Sequence, residues 1–193
     1  MEIMEMNTLL DLTGNVGRSA LRRRVVETRG LEPHEVTKVL RLCDCFWQHS
    51  GDMAASHAEL TSGKHSDGFV NVLTALKYPV IMEIFALTLA QKIDHALRSL
   101  CQLTPYWCVG SDHAAAVLSQ RVAWFLDVDC ADFTEKRPDL VVGEKKTKVQ
   151  AWDRHRIDAG RAILRIEELM TTAATTVAVN DGIAAGNRAK FGI

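Results

Sequence analysis

Between Tyr106 and Ala185, apolar runs of strand length alternate with stretches of helical periodicity, and this alternation constrains the fold more than any other feature of the chain. Tyr106-Trp107-Cys108-Val109 is a short apolar run ending in Gly110, and Ala114 to Phe125 reads as a helix. Val128 to Phe133 is the next expected strand, Arg161-Ala162-Ile163-Leu164-Arg165-Ile166 another, and a helix follows from about Thr172 to Ala185. Strands separated by helices imply an α/β fold, a parallel sheet with helices on its faces. Composition fits that class. The 193 residues are 47% hydrophobic and 24% charged, and 23 Lys plus Arg against 24 Asp plus Glu leave a formal charge of −1. Bulk charge therefore excludes a polyanion binder, and the composition excludes disorder, collagen-like repeats and low complexity.

Upstream of that alternation the chain reads differently. Arg18, Arg22, Arg23, Arg24 and Arg29 gather between Gly17 and Gly30, spread by helical spacing around a short helix. They are read either as an arm that contacts nucleic acid or a partner, or as a solvated helix. A second helix starts at Glu32-Pro33, where proline suits a first turn, and its apolar positions Val36, Val39, Leu40, Cys43 and Phe46, with Trp47 beside them, follow a helical period. His49 to Asp67 is polar and turn-rich. Phe69-Val70-Asn71-Val72 alternates like a strand, and Tyr78-Pro79 opens a long helix to about Leu100. Residues 1–50 are expected to form an N-terminal helical arm and hood element, and residues 51–193 an α/β domain.

Five cysteines, Cys43, Cys45, Cys101, Cys108 and Cys130, are an odd number without a repeated CxxC spacing. They signal neither a disulfide framework nor a zinc site, and a reducing cytoplasm is the setting they suggest. Cys43 and Cys45 are read as small core residues. Met1 to Leu10 carries two glutamates and no basic segment, so no signal peptide is expected, and no apolar run approaches the roughly 20 residues of a membrane span.

In open parallel sheets ligands bind beyond the carboxyl ends of the strands. There the sequence places Ile166-Glu167-Glu168-Leu169-Met170-Thr171-Thr172-Ala173-Ala174-Thr175-Thr176. Two carboxylates leave a strand, and a hydroxyl-rich turn then starts a helix whose N–H groups and dipole suit a phosphate. This segment resembles the phosphoribosyl pyrophosphate (PRPP) motif of type I phosphoribosyltransferases, in which two acidic residues precede Thr-Thr-Gly-Gly-Ser. Leu60-Thr61-Ser62-Gly63-Lys64-His65-Ser66 looks like the Leu-x-Ser-Gly-x-His-Ser signature of the orotate phosphoribosyltransferase branch. Val109-Gly110-Ser111-Asp112-His113-Ala114-Ala115 sits where that family has its pyrophosphate loop, and Phe133-Thr134-Glu135-Lys136 leads into its flap. The charged stretch Arg137 to Gly160 is read as a mobile flap.

The resemblance implies a type I phosphoribosyltransferase fold and Mg²⁺-dependent transfer of 5-phosphoribose from PRPP to a pyrimidine-like base, with orotate the default. Mg²⁺ would be bound mainly through PRPP, with no dedicated metal site in the protein. Glu167 and Glu168 would hold the ribose hydroxyls, with Glu168 also counted as catalytic. Thr171, Thr172, Ala173, Ala174, Thr175 and Thr176 would wrap the 5-phosphate. Ser111 and Asp112 would face pyrophosphate, with Lys64 near it or the base. Lys136, Arg137 and a flap lysine, Lys145 or Lys146, would neutralise the leaving group, in a homodimer whose flaps reach the neighbouring site.

The chain departs from the family pattern in one concerted way. Glycine and proline number only 12 and 4, or 16 of 193 residues, about 8% where roughly 12% is usual. The missing glycines include Ala114, Ala115, Ala173 and Ala174, at the two turns meant for phosphate. Each Cβ there is expected to cost on the order of 1 kcal/mol. The acidic pair is Glu-Glu, and Arg188 is the remaining arginine for a base carboxylate, in a poorly matching context. A second expectation therefore stands beside the enzyme: a phosphoribosyltransferase-fold protein without catalysis that senses a nucleotide or serves as an RNA or protein interaction module.

Overall fold

The computed structural model describes residues 15–60, 63–101, 103–142, 145–170 and 173–192. The chain divides into two compact units, Met1–Phe85 and Ala86–Ile193.

The first unit opens with α1 (Asn15–Val26) and α2 (Pro33–Leu42). Leu21 and Arg24, one turn apart on α1, are both buried. Both terminal nitrogens of Arg24 reach the Glu35 carboxylate, at 2.9 and 3.2 Å, and Glu35 also accepts the N–H of Glu32 at the start of α2. One carboxylate thus caps α2 and ties α1 to it. Burial pushes the Glu35 pKa up, but the Arg24 hydrogen bonds and the backbone N–H outweigh it, and the net shift is downward. Of the clustered arginines, Arg24 is a buried structural group, and Arg23 lies 3.7 Å from Glu27.

The helical period does not carry α2 through Phe46 and Trp47. The helix stops at Leu42, Cys43 caps it, and Asp44 takes a positive φ of 52° that turns the chain out. Phe46 and Trp47 instead form β1 (Phe46–Gln48), antiparallel to β4 (Gly68–Val70), with Trp47 opposite Phe69. Spacing alone matched both structures, and the left-handed residue decides between them. The intervening turn-rich segment holds a two-residue ladder between β2 (Ala58–Glu59) and β3 (His65–Ser66). β4 ends at Val70, so Asn71 and Val72, expected to be strand, fall outside it, and α3 (Leu73–Leu76) follows. The long helix is α4 (Pro79–Ala96), which continues as a π-helical turn, Leu97–Cys101. No helix among the described residues is long and apolar enough to cross a membrane.

The second unit carries the alternation. β5 (Trp107–Gly110), α5 (Ala114–Leu126), β6 (Cys130–Phe133), β9 (Ile163–Ile166) and α6 (Ala174–Phe191) form a mixed α/β arrangement around a three-stranded parallel sheet in the order β6-β5-β9. Every residue of the central strand is buried. Because side chains alternate across a strand, Trp107 and Val109 share one face, where they pack with Val179 and Ile183 of α6 and with Trp152 and Ile157. Cys108 points to the other face. Burial pushes its thiol up to about 12, despite a hydrogen bond to the backbone of Ala123 in α5. Gly110 ends the strand against the returning first turn of α5. A methyl there would lie 2.6 Å from the Ala115 carbonyl carbon, so glycine is required.

The stretch read as a flap holds a β-hairpin. β7 (Glu135–Val142) pairs antiparallel with β8 (Lys145–Ala151), with a register shift between Arg137 and Leu140 where Pro138 has no N–H to give. Its base is seated on α6. Gly182 and Gly186, one helical turn apart, leave a bare stripe against which the backbone carbonyls of Gln150 and Trp152 lie. The few apolar residues beyond the hairpin do the anchoring: Trp152 and Ile157 are both 3% exposed, and the Asn187 side chain bonds both the N–H and the C=O of Ile157. These contacts explain why α6 runs six residues past the expected end at Ala185.

Candidate functional site

Parallel pairing sets Gly110 level with Phe133 on one side and Ile166 on the other, so the three strands finish on one line. The segments leaving the three strands meet at that edge: Ser111-Asp112-His113 after β5, Thr134 after β6, Glu167-Glu168 after β9. The meeting is direct. Ser111, 3% exposed, donates its hydroxyl to Glu167 Oε2 at 2.9 Å. The Thr134 N–H donates to the Gly110 carbonyl at 3.0 Å.

Both helices that start at this edge begin on a residue with positive φ. His113 precedes α5 at φ 60°, and Ala173 precedes α6 at φ 57°, ψ 14°; neither cap has a side-chain hydrogen bond. Ala173 is in the left-handed helical region, which costs an L-residue other than glycine about 1–2 kcal/mol, and such strain gathers where function needs a particular backbone. The expectation about the four alanines is sharpened accordingly. Ala114, Ala115 and Ala174 are ordinary helical residues, and only Ala173 occupies a glycine-type conformation.

The same edge holds buried polar atoms with no hydrogen-bond partner among the described residues: Thr134 Oγ1, Gln150 Oε1, Glu168 Oε2 and Thr176 Oγ1. Each orphaned group costs about 1–3 kcal/mol. Four of them around one sheet edge are what a polar ligand would satisfy. Thr176 and Thr175 lie in the first turn of α6, whose leading N–H groups are available to an anion.

The other expected residues are spread more widely. Lys136 is exposed on β7 near this edge, opposite Gln150. Arg137 is held by Asp153 at 2.9 Å. Lys145 and Lys146 stand at the far end of the hairpin, paired with Val142 and Val141. Lys64 lies exposed in the first unit, and Thr171 and Thr172 lie outside the described residues.

Four residues that the motifs did not flag, Asp132, Arg154, His155 and Gln150, belong to this neighbourhood. Asp132 of β6 is 6% exposed and faces His155 Nε2 at 3.2 Å and Arg154 at 3.9 Å. Arg154 also pairs with Glu135 and stacks 4.8 Å over the Phe133 ring. This cluster pins the return from the hairpin to the end of β6. The available signal was an aspartate inside an otherwise strand-like run, Cys130-Ala131-Asp132-Phe133. Gln150 had no signal at all.

No family model and no curated protein matches the sequence. Among solved structures the chain is similar to UMP synthase of Leishmania donovani, at 17% identity and a TM-score of 0.48, over 90% of this chain and 34% of that one. It thus spans about a third of that protein's length.

Two carboxylates, a serine and a hydroxyl-rich helix start on one sheet edge can bind a phosphorylated sugar. Carboxylates take hydroxyl donors, and N–H groups with threonine hydroxyls take phosphate oxygens. Among the described residues no group of three or more His, Cys, Asp or Glu could hold a metal ion. The buried, unpartnered Glu168 Oε2 fits magnesium in the form in which it commonly meets nucleotides: one or two carboxylates, often through water, with substrate phosphates completing its shell.

Proposed function

We propose that this chain is a phosphoribosyltransferase-fold protein that binds PRPP at the carboxyl edge of its parallel sheet and transfers the phosphoribosyl group to a pyrimidine-like base, with orotate the first base to test. The observation that carries the reading is the Ser111 to Glu167 hydrogen bond. It joins the segment resembling a pyrophosphate loop to the segment resembling a ribose-binding acidic pair, across 56 residues of sequence. Glu167 and Glu168 would accept the ribose hydroxyls, and Ala173 to Thr176 would surround the 5-phosphate. Ser111 and Asp112 would border the diphosphate, with Lys136 and Arg137 countering its charge. When bound, magnesium would neutralise diphosphate charge. The protein's own part is to orient the sugar and to stabilise charge on the departing group. A homodimer is part of the same proposal.

Titration calorimetry with PRPP and Mg²⁺ tests the reading. Saturable binding is expected, and absence of binding at millimolar ligand overturns it. On mixing with orotate, a fall in orotate absorbance is the expected sign of transfer. One observation favours a second reading, binding without turnover: Ala173 puts a methyl on the turn meant for phosphate. A flat orotate trace with PRPP bound would select that reading.

A further inference from the structure

Gln150 belongs to none of the sequence motifs, yet through it the hairpin meets the loop after β5. Its backbone is fixed, because the carbonyl of Gln150 lies against the bare face of Gly182 in α6. Its side chain is 5% exposed. Nε2 donates to Asp112 Oδ1 at 3.2 Å, while Oε1 is buried without a partner. The other Asp112 oxygen faces His113 Nε2 at 3.2 Å. The carboxylate is therefore held by an amide on the hairpin and lies beside the exposed imidazole at the start of α5.

A glutamine kept only to fill space would be a poor choice here. Its orphaned carbonyl costs about 1–3 kcal/mol, which a methionine of similar shape would avoid. What methionine cannot supply is the N–H that holds Asp112. Left unheld, that carboxylate could swing towards the diphosphate and repel it.

We propose that Gln150 is a positioning residue. It fixes the Asp112 carboxylate and the 111–113 backbone, and so links the seating of the hairpin on α6 to the shape of the loop that meets the diphosphate. The inference rests on the reading of that edge as a diphosphate site, and the experiment separates the two.

Q150E keeps the shape but turns the donor into a carboxylate facing Asp112. Q150M removes both polar atoms. The double variant Q150E/D112N exchanges donor and acceptor and rebuilds the hydrogen bond. Two readouts are needed: amide hydrogen exchange at residues 111–113 without ligand, and calorimetric affinity for inorganic pyrophosphate with Mg²⁺. Q150E is expected to speed exchange and weaken pyrophosphate binding, each about tenfold, the scale of a lost hydrogen bond to a charged group. Q150M should speed exchange less, and the double variant should return exchange to the parent rate. Unchanged exchange in Q150E and Q150M, or no recovery in the double variant, overturns the role of Gln150. If the parent binds no pyrophosphate, the reading of the site fails, and the exchange data alone decide the inference. Should Q150E not fold, Q150M and the exchange readout carry the same decision.

Discussion

Replacing Gly186 with alanine should destabilise the protein, against the usual sign for a helix interior. In an unobstructed helix, Gly to Ala gains roughly 0.5–1 kcal/mol by limiting the unfolded chain and favouring helix. At Gly186 the new methyl would sit 2.7 Å from the Trp152 carbonyl carbon and nearer still to its oxygen. Ordinary contact begins at 3.4 Å, so the peptide at Trp152 would have to retreat by more than the roughly 0.7 Å that the carbon alone requires, because its oxygen is closer still. The obstacle is backbone, with no side-chain torsion to turn away. Overpacking of this kind costs about 1–3 kcal/mol or more, and Trp152, in contact with Trp107 at 5.5 Å between ring centroids, would be dragged out of the core. The expected net loss is about 2 kcal/mol, which for a chain of this size lowers Tm by about 4–8 °C. Chemical denaturation followed by tryptophan fluorescence measures it, with Ala185→Gly, an exposed neighbour, as the propensity control. A G186A protein as stable as the parent, or more so, would refute the seating of the hairpin on α6.

Other expectations rest on particular residues. Ala173→Gly should stabilise by about 0.5–1 kcal/mol, since relief of the left-handed strain exceeds the entropy that glycine adds to the unfolded chain; urea melts would show the gain, and a loss would refute the positive φ. Glu35→Gln should cost about 2–3 kcal/mol at neutral pH. Because the folded pKa of Glu35 is depressed, its contribution is complete above the ordinary value of 4.5 and lost as pH falls through the lower folded value. The gap between parent and E35Q should close in acid, and a gap independent of pH would count against the Arg24 pair. Cys108, raised to about 12, should resist alkylation in the native protein at pH 8 and react after unfolding; fast native labelling would contradict its burial. The raised pKa also means that stability falls from the ordinary thiol value of 9.0 towards 12, as the unfolded chain alone loses the proton.

The parallel sheet was legible because β5, β6 and β9 are short, largely apolar runs, β5 ending in Gly110 and β9 followed by Glu167, and because a helix of ordinary period separates β5 from β6. The ends of α2 and α6 were not. Phe46 and Trp47 fit a helical stripe as well as a strand, and only the backbone of Asp44 separates the two. The continuation of α6 depends on Asn187 and Gly186 meeting a segment some thirty residues earlier. The hairpin looked unanchored because its charge density hides two decisive residues, Trp152 and Ile157. At the site, local motifs located the acidic pair and the serine loop. The pairings of Asp132 with His155 and of Gln150 with Asp112 leave no local trace, since each partner is ordinary in its own segment. Alanine at four expected glycine positions read as four equal departures, whereas only Ala173 has a backbone for which glycine matters.

The order β6-β5-β9 also bears on when, during folding, the candidate site comes into being. β5 reaches β6 across a single helix, a local closure. Its pairing with β9 must wait for the hairpin and its return to be synthesised and seated, and such long-range closures are the slow ones. Topology predicts that the β5–β6 pair, with Ser111, forms before β9 brings Glu167 to it. Assembly of the ligand-binding edge is thereby tied to completion of the sheet. On that order, a chain lacking β9 would carry the β5 half of the edge without its acidic half.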